Sequence, residues 1–124
     1  MEARLVAYVG LGSAIGGMAR YAASTWVSRP DFPFGTLTVN LVGCLLIGLV
    51  VFAGTAGGWL SERVWTFAVV GILGGFTTMS AFAFDTLALA SAGAVPKAAL
   101  NMGLTLGGCL LAVWLGKTLA TATI

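Results

Sequence analysis

The polar groups that could do chemistry in this chain are few, and they stand inside apolar sequence. Gly74-Gly75-Phe76-Thr77-Thr78-Met79-Ser80-Ala81-Phe82 sets adjacent glycines, three hydroxyl residues and two aromatic rings in a hydrophobic stretch. A helix that breaks there frees backbone groups that lipid cannot satisfy, so the break must lie within protein or along water. Breaks at mid-membrane depth are places where small ions are bound or passed. Asn40 lies in Gly35-Thr36-Leu37-Thr38-Val39-Asn40-Leu41-Val42-Gly43, and Thr36, Asn40 and Cys44 share one helical face. Asn101, Thr105 and Cys109 form a second weakly polar stripe with the same spacing. Used plainly, such side chains tie helices together, each hydrogen bond giving about 0.6–2 kcal/mol. Used functionally, their donors replace the hydration water of an anion.

Other side chains near these stripes admit two uses each. Arg20, in Gly16-Gly17-Met18-Ala19-Arg20-Tyr21, either snorkels to the interface or orders a vestibule that attracts anions. Asp85 is expensive to bury, so it is expected to pair with Arg20 or Lys97, or to cap a helix break. Phe76, Phe82 and Phe84 crowd the break. A phenyl ring has a positive edge, which favours a passing anion without holding it tightly. The chain has no histidine, and Cys44 and Cys109 both lie in apolar runs. That composition argues against a disulfide framework, a zinc site or an enzyme with a nucleophile–base constellation.

The elements that must position these residues are membrane helices. Of 124 residues, 59% are hydrophobic and 8% charged, against about 25% charged in ordinary soluble domains. The mean hydropathy is +1.02. The net charge of +2 is scattered along the chain and gives no nucleic-acid footprint. A bilayer crossing needs about 20 apolar residues, and four stretches qualify: 5–25, 35–53, 64–92 and 98–120. The third is too long for a straight span, in keeping with a break near Gly74–Ser80. The first follows a basic Arg4 but runs on through Arg20 without a small-residue cleavage site, so it reads as a span and not as a cleaved leader. The expected fold is therefore one all-α membrane domain over 1–124.

Four spans put both termini on one side, with Arg4, Arg63 and Lys117. The other side holds Arg29 and Lys97, with Arg20 reaching toward it. Orientation follows an excess of Lys and Arg on the cytoplasmic side, and here there is almost none. One reading is a small bias that suffices. The other is dual topology, with copies inserted both ways and paired as an antiparallel dimer. Gly12/Gly16, Gly71/Gly75 and Gly103/Gly107 are pairs spaced for close helix approach. They are expected to serve packing within the chain and, on at least one face, between subunits.

Taken together, these residues resemble the Fluc (CrcB-type) fluoride-channel family. The Gly-Gly-x-x-Arg-Tyr of the first span is similar to that family's opening motif. The run Pro33–Gly43 looks like its second-span signature, and Gly74–Phe82 like its broken third helix. The resemblance covers essentially the whole chain. It implies an antiparallel, dual-topology homodimer in the inner (plasma) membrane, with two pores that let fluoride leave the cell passively. It implies a sodium ion at the dimer centre, held by the backbone carbonyls of Gly74 and Thr77. It implies pore residues Asn40, Met79, Ser80 and Phe82, a last-span track of Asn101, Thr105 and Cys109, and Arg20 near the mouth. The chain departs from the pattern at Met79, where relatives usually carry Phe, at Ala81, where they carry Thr or Ser, and at Asn101, where many carry Tyr.

Two alternatives come from other classes. A small proton-coupled multidrug-type transporter matches in size and dual topology but needs an acid in the first span. Here Glu2 precedes that span and Asp85 lies in the third. A non-conducting subunit that works only with an active homologue is the second, suggested by Met79 and Ala81.

Overall fold

The computed structural model describes residues 2–122, and among them every regular element is helical. Met1, Thr123 and Ile124, at the ends of the expected 1–124 domain, lie outside the described residues. Helix α1 spans Ala3–Val27 and α2 spans Phe34–Ala56. The third apolar segment is composite. A turn of helix, α3 (Glu62–Val64), leads into a π-helical stretch, Trp65–Leu73, and a further turn, α4 (Gly74–Phe76). Helix α5 (Met79–Ser91) resumes beyond a break, and α6 (Val95–Ala122) completes the chain.

Three segments are both long and apolar enough to cross a membrane: Phe34–Ala56, Glu62–Ser91 and Val95–Ala122. Helix α1 has the length, 25 residues, or about 37 Å at 1.5 Å per residue. Ser13, Arg20, Ser24 and Thr25 dilute its apolarity. It nevertheless runs beside the third segment, from Phe67 to Phe76, through the backbone contacts of Gly12 and Gly16.

The break is narrower than the sequence suggests. Gly74 and Gly75 stay helical, and only Thr77 (φ −89°, ψ 158°) and Thr78 (φ −152°, ψ 113°) are extended. β-Branched threonines suit that geometry, and the Thr78 hydroxyl caps α5 by accepting the Ala81 N–H at 3.2 Å. Gly75 serves packing instead. A Cβ on Gly75 would stand 2.7 Å from the Ser13 carbonyl oxygen, and one on Gly12 would stand 2.9 Å from Gly71 Cα. The two expected glycine pairs therefore meet each other, α1 against the third segment. Helices α2 and α6 approach in the same way at Gly48 and Gly116, with Leu41 seated over Gly108. Gly103 and Gly107 face no atom of this chain within 4 Å of an added Cβ.

Two helix ends are closed by left-handed glycines, Gly58 (φ 69°) and Gly93 (φ 81°). At each, the next residue returns its N–H to the last turn: Trp59 to the Gly54 carbonyl at 3.1 Å, Ala94 to the Leu89 carbonyl at 2.9 Å. The second cap turns α5 directly into α6, which keeps these helices neighbours.

Close backbone approach predicts a sharp contrast between glycines of α1. Gly16→Ala, facing the Ile72 carbonyl and the Phe76 amide, is expected to destabilise by about 1–3 kcal/mol. Gly10→Ala, with open space around it, is expected to change stability by less than about 1 kcal/mol. Thermal unfolding of the purified variants measures the difference.

Candidate functional site

Asn40 binds the break. Its Oδ1 accepts the Thr78 N–H at 2.8 Å, and its Nδ2 donates to the Thr78 carbonyl at 3.0 Å. One side-chain amide thus pairs both backbone groups of one extended residue, as a neighbouring strand would. Both Asn40 and Thr78 are buried. The clasp also changes what the neighbouring carbonyls can do. In an unbroken helix the Gly74 carbonyl would accept from Thr78 N–H and the Thr77 carbonyl from Ala81 N–H. Those amides go to Asn40 Oδ1 and Thr78 Oγ1 instead. Both carbonyls are therefore released from their ordinary helical donors, in a part of the chain where water is scarce. Thr77 itself is tethered backwards, its N–H and its hydroxyl both donating to the Leu73 carbonyl at 3.0 Å.

A second network joins α5 to α6. The Thr105 hydroxyl donates to Asn101 Oδ1 at 3.4 Å, Asn101 Nδ2 donates to Thr86 Oγ1 at 2.9 Å, and the Thr86 hydroxyl donates to the Phe82 carbonyl at 2.7 Å. Asn101 is 1% exposed. The polar stripe expected on the last span is real, but within the chain its first two members are occupied with each other and with α5. Among the described residues, no buried side-chain nitrogen or oxygen lacks a partner.

The aromatic and hydroxyl residues after the break divide by face. Phe82 is buried, whereas Met79 is 67% and Phe84 72% exposed. Ser80 is also exposed, with its Oγ 3.1 Å from Thr78 Oγ1. Cys44 and Cys109 are half-buried free thiols.

Arg20 lines a crevice of about 240 Å³ with Tyr21, Ser24, Thr36, Thr78 and Ala81. Ser24 and Thr36 also line an open cleft of about 480 Å³ that reaches Arg29, Asp31 and Asp85. A polar route therefore leads from the α1–α2 connection to the break. Asp85 meets neither of its expected cationic partners in the described contacts. Its Oδ2 accepts the Thr36 hydroxyl at 2.7 Å, while Lys97 Nζ donates to the Asp31 carbonyl at 3.0 Å.

The structure thus brings Asn40 and Ser80 together through Thr78, and Asn101 and Thr105 to the Phe82 backbone through Thr86. Met79, Ser80 and Gly74 lie on the exposed side. Sequence reasoning missed Thr78, Thr86 and the Thr36–Asp85 bond. Thr86, one turn after Phe82, carried a periodic signal, but the partner of Thr78 depends on a long-range contact that no local pattern encodes.

The model of the family described as CrcB-like protein, Camphor Resistance (CrcB), matches residues 7–117. The chain belongs to the CrcB family. Its relatives cover it almost end to end. One from Paramagnetospirillum magneticum, named fluoride-specific ion channel FluC, is 44% identical over 120 residues, covering 93% of this chain and 94% of the relative. A Rhodopseudomonas palustris protein, fluoride-specific ion channel FluC 2, is 46% identical over 114 residues, covering 88% and 87%. A Methanosarcina acetivorans protein, fluoride-specific ion channel FluC 1, is 36% identical over 111 residues, covering 88% and 85%. The chain is an all-helical, multi-pass membrane protein, with three segments long and apolar enough to cross a bilayer among the described residues.

The two asparagines should differ in their structural weight. Asn40→Leu orphans a buried N–H and a buried carbonyl and is expected to cost roughly 2–6 kcal/mol, at about 1–3 kcal/mol for each group. Asn101→Leu is expected to cost less, because the Thr105 hydroxyl can turn to the carbonyl of residue 101 one helical turn back. Thermal unfolding in detergent ranks the two.

Proposed function

We propose that this chain is a fluoride-selective channel, one half of an antiparallel homodimer in the inner (plasma) membrane, that lets fluoride leave the cell passively. The carrying observation is the open flank of the helix break, where the residues beside the buried Thr78 stand exposed. Gly74, Met79 and Ser80 are open at the surface of a segment apolar enough to cross the bilayer. Lipid does not satisfy carbonyls released from a helix at that depth, and cover of this flank by a second protein surface supports the dimer reading. The near-even distribution of Lys and Arg suits a copy inserted the other way. The open Gly103 and Gly107 face on α6 offers another surface for close approach. The fluoride specificity named in the relatives supplies the ion.

The released carbonyls fit the sodium ion of the family reading. They belong to Gly74 and Thr77, the residues expected to hold it, and carbonyl oxygens are hard donors suited to that cation. When bound, sodium would supply positive charge at the dimer centre and tie the two breaks together. The rest of the work falls to this chain's residues. Arg20 attracts the anion into the polar crevice, which Ser24 and Thr36 also line. Ser80 and the exposed face of Met79 meet the ion at the dimer surface. Phe82 shapes the wall from within. Asn101, Thr105 and Cys109 continue the route on α6.

Neither alternative class gains support. The relatives are named as ion channels, which favours neither a proton-coupled transporter nor a non-conducting subunit. Asp85, on α5, is engaged with Thr36 of α2, and the first span carries no acid.

Liposomes containing only this protein are expected to release fluoride rapidly and chloride hardly at all, read by ion-selective electrodes. Equal chloride release would refute the selectivity, and no release from inserted, dimeric protein would refute a self-sufficient homodimer. Asn40→Asp is expected to suppress release at least about tenfold, because a carboxylate faces the Thr78 carbonyl and adds repulsive charge. Met79→Phe is expected to raise release if a ring edge at that exposed position favours the anion; unchanged release would place the ion's route elsewhere.

A further inference from the structure

Gly43 is the α2 residue that meets the other threonine of the break. A methyl built on Gly43 would overlap Thr77 Cγ2 and stand 3.4 Å from Phe76 Cδ1. The threonine cannot turn aside cheaply. Its hydroxyl is held by the Leu73 carbonyl at 3.0 Å, and a β-branched side chain moves methyl and hydroxyl together about one torsion. Rotation that cleared the methyl would break that bond. Gly43 also lies three residues after Asn40, on the same face of α2. The two residues therefore grip consecutive positions: Asn40 takes the backbone of Thr78, and Gly43 receives the side chain of Thr77.

We infer that Gly43 is a positioning residue for the break: its bare Cα seats the Thr77 methyl and so fixes the direction of the Thr77 carbonyl. The inference rests on the channel reading for its effect on transport, but the coupling between the two residues stands on packing alone. Gly48, on the same helix, has a different task. An added Cβ there would meet the α6 backbone at Val113 and Gly116, so that glycine sets a helix–helix distance and no feature of the break. The absent atom at 43 is matched to one methyl group, and that match is testable by exchanging the atom.

The experiment is a double-mutant cycle with Gly43→Ala and Thr77→Ser, each alone and combined, beside Gly43→Ala/Thr77→Val. Serine keeps the hydroxyl and removes Cγ2, while valine keeps methyls and removes the hydroxyl. Fluoride efflux from liposomes is one readout. The other is the thermal midpoint of purified protein in sodium chloride and in N-methylglucamine chloride. Gly43→Ala is expected to reduce efflux at least about tenfold in the wild-type background and less than about twofold in the Thr77→Ser background. The sodium-dependent part of the midpoint should be lost in Gly43→Ala, return with Thr77→Ser, and stay lost with Thr77→Val. Equal losses in both backgrounds, or Gly43→Ala indistinguishable from wild type, would overturn the assignment. If Gly43→Ala fails to assemble, recovery of a folded protein by Thr77→Ser still supports it, and failure of the double variant as well overturns it. Wild-type protein without fluoride efflux would sink the channel reading alone, since the coupling is then read from the midpoints.

Discussion

A single side-chain amide decides whether this structure can contain a helix break at all. Two backbone groups of an extended residue lie buried in a segment meant for hydrocarbon, and leaving either without a partner would cost about 1–3 kcal/mol. Asn40 satisfies both at once. The consequences run outward from that pairing. Thr78 is free to be extended, its hydroxyl caps α5, and the carbonyls of Gly74 and Thr77 lose their helical donors. The polar oxygen pair that makes the site interesting is thus a by-product of how the break is held.

The second network has a different logic. Thr105, Asn101 and Thr86 pass hydrogen bonds from α6 across to α5 and end on a main-chain carbonyl. The Thr105 hydroxyl has a fallback acceptor in the carbonyl one helical turn back, and Thr86 already donates to such a carbonyl, so this network can rearrange at small cost. Polar groups that hold a fixed backbone geometry stand at the N-terminal cap of α5, and polar groups that can switch partners stand further along it, where it meets α6. An ion track needs the second kind, because a donor must be able to leave its protein partner to meet the ion.

Most of the architecture was legible because a bilayer imposes coarse rules. Span length, the charged gaps and the glycine pairs of α1 and the third segment were all readable, and Gly12 and Gly75 meet that segment and α1 as their spacing implied. The break falls inside the expected stretch Gly74–Ser80, at Thr77 and Thr78; Gly74 and Gly75 stay helical, and the small size of Gly75 is used for packing against α1. Asp85 looked like half of an ion pair and binds Thr36, since a hydroxyl from the facing helix was nearer than any cation. Asn40 was readable as either glue or donor. The structure gives it the first role in a form that makes the second dependent on it. What sequence could not supply was the pairing across distant positions, Asn40 with Thr78 and Gly43 with Thr77, because periodicity describes one helix at a time.

The π-helical stretch from Trp65 to Leu73 has a bearing on how this protein tolerates change. In such a stretch carbonyls accept from amides five positions on, as that of Val69 does from Gly74, so a face of the segment recurs at wider intervals than in the neighbouring helices. Substitutions that would share a face in α2 will not share one here. A tolerance map of the chain should therefore lose its 3.6-residue rhythm across these nine residues, and regain it only beyond the break. The stretch is a local change of pitch in an otherwise regular molecule, and any alignment that assumes a constant pitch will assign its buried and lipid-facing positions wrongly.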